Sequence, residues 1–523
     1  MDTILDFFHH LHAPLMALAI VTVCILRMIH LMILYPTFLT PLRALPTPLN
    51  RSWARGNYTN PTASPISQLQ HWRAKFPNAG LIRYYLPGNQ ERVLVTSVEA
   101  LNDILVTKAS HFTKPMAVRK RLSYITGNGL LLSEGGVHKT QRRALTPAFS
   151  FRHVKELYPI FWRQAMKMAD CIESDMTTNI GKGIEVVEVR KWATRATLDI
   201  IGLAGLGHDF GSLQNPDNEI LRQYQRMRQE PSRVETLLEG LLSFILPYFD
   251  RVVSMLPTRR ATIIVEASQC IRALCGKLVQ DKKKQNCERL EGQCDIATVA
   301  LKSGVFTDSE LVDQMMTFLA AGHGTTSHAL QWTVYALCKH PGVQERLRAE
   351  IRYHLGSPIN LNRAVSASDI DGLEYLQAVC SETLRLYPPV PTTTRKSLHE
   401  TMLGGYPIPK GTLFTISPAV INVDPALWGP DSEIFDPERW IGKGRANSGG
   451  SRSHHAFLTF LQGPRSCIGA TFARGELACL VAALVGRFQM ELEDPKKNEE
   501  LTKRGVGAAP ADGVRVKFKL VDI

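Results

Sequence analysis

The reading turns on Phe460-Leu461-Gln462-Gly463-Pro464-Arg465-Ser466-Cys467-Ile468-Gly469, near the carboxyl end of a 523-residue chain. Two glycines bound a loop that runs into a helix start. A cysteine at that point meets free backbone amides and the positive end of the helix dipole, and both favour thiolate over thiol. A thiolate binds iron and pushes electron density toward a trans ligand. Gly463 and Gly469 would let a large flat cofactor approach the backbone. Arg465 would pair with a carboxylate on that cofactor, and Phe460 would shield the sulfur from water. A structural cysteine buried in a tight turn is the other reading of the same residues.

Upstream lies a long helix. Thr307 and Glu310 have capping-box spacing. Leu311, Met315, Phe318 and Leu319 follow on one apolar face, and the pattern stops at His340-Pro341-Gly342. Its middle reads Ala321-Gly322-His323-Gly324-Thr325-Thr326. Two glycines inside a helix cost about 1 kcal/mol each relative to alanine, so this weak stretch marks a place where something approaches the backbone. Short β-like runs occur at Leu81–Tyr85, Arg92–Thr96 and Val514–Leu520, whereas Ala100 to Leu386 reads mostly as helix. The fold class is mainly α with small β-sheets.

Composition fits such a core: 44% of residues are hydrophobic and 21% charged, which excludes a disordered chain. The formal charge is +13, but no long basic run or zinc-finger pattern points to nucleic acid. The ten cysteines are irregularly spaced and read as unpaired thiols. Cys270, Cys275, Cys287 and Cys294 lack paired ligand spacing, and Lys282–Lys284 among them reads as a solvated loop.

The amino end differs. Pro14 to Leu34 is apolar apart from Arg27 and His30, about one bilayer span. An acidic start with Asp2 and Asp6 favours an uncleaved anchor over a signal peptide. Arg43, Arg51 and Arg55 follow the span, so the bulk of the chain should face the cytosol. The sequon Asn57-Tyr58-Thr59 would then stay unmodified. Pro36, Pro41, Pro46 and Pro48 read as a semi-rigid spacer. The expected organisation is an anchor over 1–35, a spacer over 36–60 and a catalytic domain over 61–523.

The cysteine loop resembles the haem-binding loop of the cytochrome P450 family at every signature position. Glu382-Thr383-Leu384-Arg385 resembles that family's E-x-x-R helix, and Arg439 in Phe435-Asp436-Pro437-Glu438-Arg439-Trp440 the arginine that completes its charge cluster. The resemblance covers about residue 60 to the end. It implies a cytochrome P450 fold, haem b ligated by Cys467, and contacts from Phe460, Gly463, Arg465 and Gly469. His138-Lys139-Thr140-Gln141-Arg142 resembles the W-x-x-x-R helix with His138 in place of tryptophan. His138, Arg142 and Arg395 are thereby further candidates for the haem propionates. The weak stretch of the long helix resembles the oxygen-binding groove. Thr325 would hold the hydroxyl that organises water and oxygen, but Gly324 stands where an acid is usual.

By the same resemblance the substrate pocket draws on Pro115–Leu131, Leu237–Phe249, Phe318, Ala321, Gly322, Val390, Thr392 and Val506. These are apolar or small, which suits a bulky hydrophobic substrate. The anchor and Thr146-Pro147-Ala148-Phe149-Ser150 look microsomal and fungal. That implies an endoplasmic reticulum membrane and electrons from NADPH through a separate cytochrome P450 reductase, with cytochrome b5 as a further partner. The expected activity is hydroxylation or epoxidation in specialised metabolism, of a terpenoid or polyketide. A haem-thiolate isomerase, desaturase or oxidative cyclase is the alternative that Gly324 keeps open, and a non-catalytic haem-binding protein is a remoter one.

Overall fold

The computed structural model describes residues 16–521 except 17, 20, 24, 53–54, 59–63, 180–185, 229–258, 285–294, 357–364, 496–508 and 511–512. Leu237–Phe249, Val506, Cys24, Cys287 and Cys294 lie outside the described residues. Helices dominate and the sheets are small, as the sequence pattern predicts. The chain divides into two compact units: Met1–Ala100 with Ser232–Leu256 and Lys396–Thr415, and Leu101–Pro231 with Pro257–Arg395 and Ile416–Ile523.

The first unit begins with helix α1 (Val21–Leu39), 19 residues with a mean hydropathy of 1.7, and carries a second helix, α2 (Pro65–Lys75). Helix α1 is long and apolar enough to cross a bilayer. From His30 onward its turns are π-helical, and Pro36 lies among them. Proline has no N–H for an ordinary helical bond, and wider turns absorb the defect. Thr40 N–H accordingly donates to Tyr35 O, 2.9 Å away and five residues back. The helix therefore runs past residue 35. The prolines beyond it are docked where a spacer is expected. The Tyr85 hydroxyl donates to Pro36 O at 3.0 Å, Arg83 N–H donates to Pro46 O at 2.9 Å, and Leu42 and Leu45 are buried. Tyr85 and Arg83 belong to strand β1 (Leu81–Leu86), which pairs antiparallel with β2 (Gln90–Val95).

Asn57 is built into this unit. Its amide donates to Pro48 O (3.1 Å) and Asn50 O (2.7 Å), and its side-chain oxygen accepts from Tyr85 N–H (2.8 Å). The folded chain leaves no amide for a glycan. An unmodified Asn57 thus loses its value as a topology test.

The second unit holds most of the core. Helices α3 (Met116–Thr126), α4 (Gly135–Leu145), α5 (Phe151–Asn179) and α6 (Val189–Ile200) precede the long helix α7 (Asp308–Lys339). α7 opens with the expected capping box: Glu310 N–H donates to Thr307 Oγ1 and Thr307 N–H to Glu310 Oε2. Helices α8 (Glu374–Leu386) and α9 (Ala470–Arg487) pack beside it. Every residue of α9 from Gly475 to Arg487 is buried, so it is a core helix without a solvent face. Strand β5 (Arg515–Leu520) lies between β3 (Val186–Glu188) and β4 (Phe488–Leu492), antiparallel to both.

One expectation changes here. Lys282–Lys284 ends a helix spanning Arg259–Lys284 and is no loop. Lys282 is buried, with its Nζ 2.9 Å from Asp295 and 3.0 Å from the Thr298 hydroxyl, because a buried ammonium needs a partner. Among the described residues no group of three or more His, Cys, Asp or Glu side chains is arranged to hold a metal ion.

Candidate functional site

Cys467 lies deep in the second unit, yet its own surface is open. Its N–H donates to Phe460 O at 2.8 Å and Ser466 N–H to Gly463 O at 3.0 Å, which folds the loop back on itself. Leu461 adopts a φ of +55°, a left-handed conformation that costs a non-glycine residue about 1 kcal/mol or more. Gly463, at φ +74°, has a different reason to be glycine from the one expected. A Cβ there would stand 2.0 Å from Leu105 O, so the backbone of the Asp103–Thr107 turn fills the space. A Cβ at Gly469 would meet only the Phe149 ring, at an ordinary 3.7 Å.

Cys467 sits two residues before Gly469, the N-cap of α9. Burial raises the Cys467 thiol above its ordinary pKa, while the Gly469 N–H and the Arg142 charge pull it back. Burial is the largest effect, so the chain alone favours the thiol more than the helix-start argument expects. The charge of a metal ion would displace that proton. Arg142 also clamps the loop, with Nη1 donating to Ser466 O at 2.7 Å and Nη2 to Ser466 Oγ at 3.2 Å.

The candidate propionate residues converge beside this loop. Arg465 Nη1 donates to Ala109 O (2.9 Å) and Phe112 O (2.7 Å), and its Nη2 stands 2.9 Å from Glu134 Oε2. Arg395 is 1% exposed; its Nη1 donates to Thr393 Oγ1 and Thr394 O, and its Nε has no hydrogen-bond partner among the described residues. Burial, then Arg465, pushes the Arg395 pKa down to about 10. Lys114 joins them unforeseen. Burial, then Arg395, pushes its ammonium down to about 8. His138 is buried too, and burial with Lys114, Arg142 and Arg465 lowers it to about 4, so it is neutral near pH 7. Three cations, Lys114, Arg395 and Arg465, thus gather about one carboxylate, Glu134, and Arg142 adds its charge beside His138 and Cys467.

Helix α7 is tied down at both flanks. The Thr317 hydroxyl donates to Thr126 O (2.7 Å) and Leu130 N–H to Gln314 Oε1 (2.9 Å), which seats α3 and the following turn on it. The Thr197 hydroxyl of α6 donates to His323 O at 2.9 Å. Phe318 is buried, with its ring centroid 5.7 Å from that of Phe149, the residue that faces Gly469. Gly322 is half-buried, and a Cβ there would come within 2.7 Å of the Ile201 side chain. Ala321 is exposed, midway along a mostly buried helix. Thr325 is half-buried and its hydroxyl donates to Ala321 O at 2.7 Å. Gly324 supplies no acid; Glu476 of α9 is a fully buried carboxyl whose two oxygens make no hydrogen bond among the described residues. Burial raises its pKa well above the ordinary carboxylate value. Val390 is half-buried and Thr392 exposed, on a turn held by the Ser417 hydroxyl donating to Pro391 O at 2.9 Å.

Glu382, Arg385 and Arg439 do come together. Arg385 forks onto Glu382 with bonds of 2.8 and 2.7 Å, and both side chains are fully buried. Arg439 Nε stands 3.6 Å from Glu382, while Trp440 Nε1–H and Asp436 N–H donate to the same carboxylate at 2.9 and 3.0 Å. Asn422, which the sequence did not flag, joins this cluster to the cysteine loop. Its amide donates to Arg385 O (2.9 Å) and Thr459 Oγ1 (2.8 Å), and its oxygen accepts from Leu458 N–H (2.8 Å).

These residues fit haem. An open thiol emerges at depth, and beside it a buried cation excess, with an unpartnered Arg395 Nε, suits two carboxylates. Comparison with known proteins agrees. The sequence model of the family described as cytochrome P450 matches residues 46–518. Cytochrome P450 monooxygenase sphH of Aspergillus fumigatus is 44% identical over 97% of this chain and 93% of its own length. Cytochrome P450 monooxygenase FSL4 of Gibberella zeae is 40% identical over 94% and 90%, and FUM15 of Gibberella moniliformis 38% over 94% and 90%. By sequence, fold and site, the chain belongs to the cytochrome P450 family of oxidoreductases.

Proposed function

We propose that the protein is a membrane-anchored haem-thiolate monooxygenase that hydroxylates or epoxidises a bulky hydrophobic substrate in fungal specialised metabolism, a terpenoid or polyketide. The observation that carries this reading is the open Cys467 thiol beside a buried cation excess. Cys467 would ligate haem iron, and Arg465, Arg395, Arg142, His138 and Lys114 would hold the propionates. Bound there, haem supplies the activation of dioxygen with two electrons, one oxygen atom going to substrate and the other to water.

The chain's residues do the rest. Arg142 fixes the Ser466 backbone so that the Cys467 thiolate keeps one direction. Ala321 presents a small surface to substrate. Thr325 holds a hydroxyl that can leave the Ala321 carbonyl and pass a proton to ordered water. Electrons would come from NADPH through a separate reductase, with cytochrome b5 as a second donor. The apolar length of α1 supports anchorage in the endoplasmic reticulum with the catalytic domain facing the cytosol.

A second reading, isomerisation, desaturation or oxidative cyclisation, is favoured by Gly324, which leaves no carboxylate beside Thr325 to relay protons. Both are tested by expression with a reductase in a host making candidate precursors under isotopically labelled dioxygen. A labelled product that Cys467→Ala abolishes is the expected result. An unlabelled product with the same dependence supports the second reading. Thiolate ligation that survives Cys467→Ala overturns both.

A further inference from the structure

We infer that Glu134 is a positioning residue that sets the charge balance of the propionate cradle and, through Arg465 and Lys114, holds down the reduction potential of the haem. The inference rests on the proposed haem-thiolate reading. It starts from a carboxylate where a haem cradle has no evident need of one. Glu134 Oε1 accepts from Lys114 N–H at 2.9 Å and stands 3.8 Å from Lys114 Nζ. Its Oε2 stands 2.9 Å from Arg465 Nη2. The Glu134 side chain is only 13% exposed, and those of Lys114 and Arg465 only 14% and 11%, so solvent screens these charges weakly.

Arg465 cannot turn away from Glu134. Its Nη1 is spent on Ala109 O and Phe112 O, which fixes the plane of the guanidinium. Glu134 therefore shares the Nη2 side of that guanidinium with whatever anion the cradle takes. The propionates would then meet Arg465 and Lys114 already partly neutralised by Glu134. Haem reduction adds one negative charge, and a fixed negative charge nearby opposes it. Removing the Glu134 charge should raise the potential; removing the Lys114 charge should lower it.

The test is potentiometric titration of the haem-loaded enzyme, with the ferrous carbon monoxide spectrum reporting the thiolate. Glu134→Gln keeps the size and an oxygen for Lys114 N–H but loses the charge. The expected result is a shift on the order of threefold to tenfold in the one-electron reduction equilibrium toward the reduced form, up to about 59 mV, with an unchanged thiolate band. Glu134→Asp keeps the charge and should stay near the parent. Lys114→Met should shift the other way. An unchanged potential in Glu134→Gln overturns the inference. So does an equal shift in Glu134→Gln and Glu134→Asp, or loss of haem in Glu134→Gln alone, because the carboxylate would then act through shape. A parent enzyme without any thiolate band would refute the haem-thiolate reading itself.

Discussion

Two charged clusters lie within the second unit, and they are built on opposite plans. Around Glu382 the charges close on one another. The carboxylate takes two bonds from Arg385, one from Trp440 and one from Asp436 N–H, and Arg385 spends its other donors on Asn422, Ser432 and Ile434 carbonyls. Around Arg465 the charges stay open. Lys114 and Arg395 join Arg465 about one carboxylate, with Arg142 beyond them at His138 and Cys467, and burial depresses both Lys114 and Arg395. A buried ion is tolerable when it is fully paired and costly when it is not. The closed cluster is therefore paired within the protein, although Arg439 Nε, 3.6 Å from Glu382, makes no hydrogen bond among the described residues. The open one is completed only by an anion from outside, and its cost in the bare chain becomes affinity for that anion.

The largest effect should come from breaking the closed cluster. Arg385→Leu leaves the Glu382 carboxyl at 0% exposure with two of its four hydrogen bonds, and strips donors from three carbonyls. Loss of one partner of a buried pair costs about 3–5 kcal/mol, which consumes most of the stability of an ordinary domain. The expected outcome is little soluble protein at 37 °C, or a thermal midpoint far below the parent in a scan of what remains. A midpoint within a few degrees would mean that the cluster is less closed than its geometry implies.

A smaller effect, with the sign reversed, should come from the open cluster. Arg395→Met removes a buried cation whose Nε has no partner and whose pKa burial already lowers. The haem-free chain should be unchanged or more stable by about 1–2 kcal/mol, read from the urea midpoint. The loaded protein should lose haem roughly tenfold faster to an acceptor globin, a charged hydrogen bond being worth about 1.5–3 kcal/mol. If Arg395→Met destabilises the haem-free chain as Arg385→Leu does, the two clusters are not different in kind.

The clusters also differ in what the sequence discloses. Glu382 and Arg385 lie one helical turn apart, so their pairing follows from helix geometry and the resemblance together. The capping box at Thr307 and the cysteine loop are likewise local patterns with a physical meaning of their own. Glu134 and Lys114 are not legible in this way. Each is an ordinary charged residue in its local window, and Arg465 is more than three hundred residues away. Only the tertiary fold brings them together. Asn422 escapes for the same reason, its partners being on other elements. Gly463 and Gly322 show a subtler gap. The sequence marks where backbone space is needed, and on the Cβ side Leu105 and Ile201 fill it. Pro36 and the docked prolines make the point for the amino end, where composition cannot tell a spacer from a segment hydrogen-bonded to β1.

The finest probe of the open cluster is pH, through His138. Its pKa falls from the ordinary 6.5 to about 4, from burial first and then from Lys114, Arg142 and Arg465. Between those two values the unfolded chain binds more protons than the folded one, so protonation favours unfolding. The His138 contribution to stability is therefore constant above about pH 6.5 and declines as the pH falls toward 4, by at most about 1.4 kcal/mol per pH unit. The urea midpoint of the haem-free chain should drop between pH 7 and pH 5, and His138→Gln, which does not titrate, should flatten that drop. Propionates would bring negative charge to the cations that depress His138 and raise its pKa toward the ordinary value. The same His138→Gln comparison made on the loaded protein should then show a smaller difference. Equal slopes in the parent and His138→Gln haem-free chains would mean that the cations around His138 are already screened, and that this cluster is closed as well.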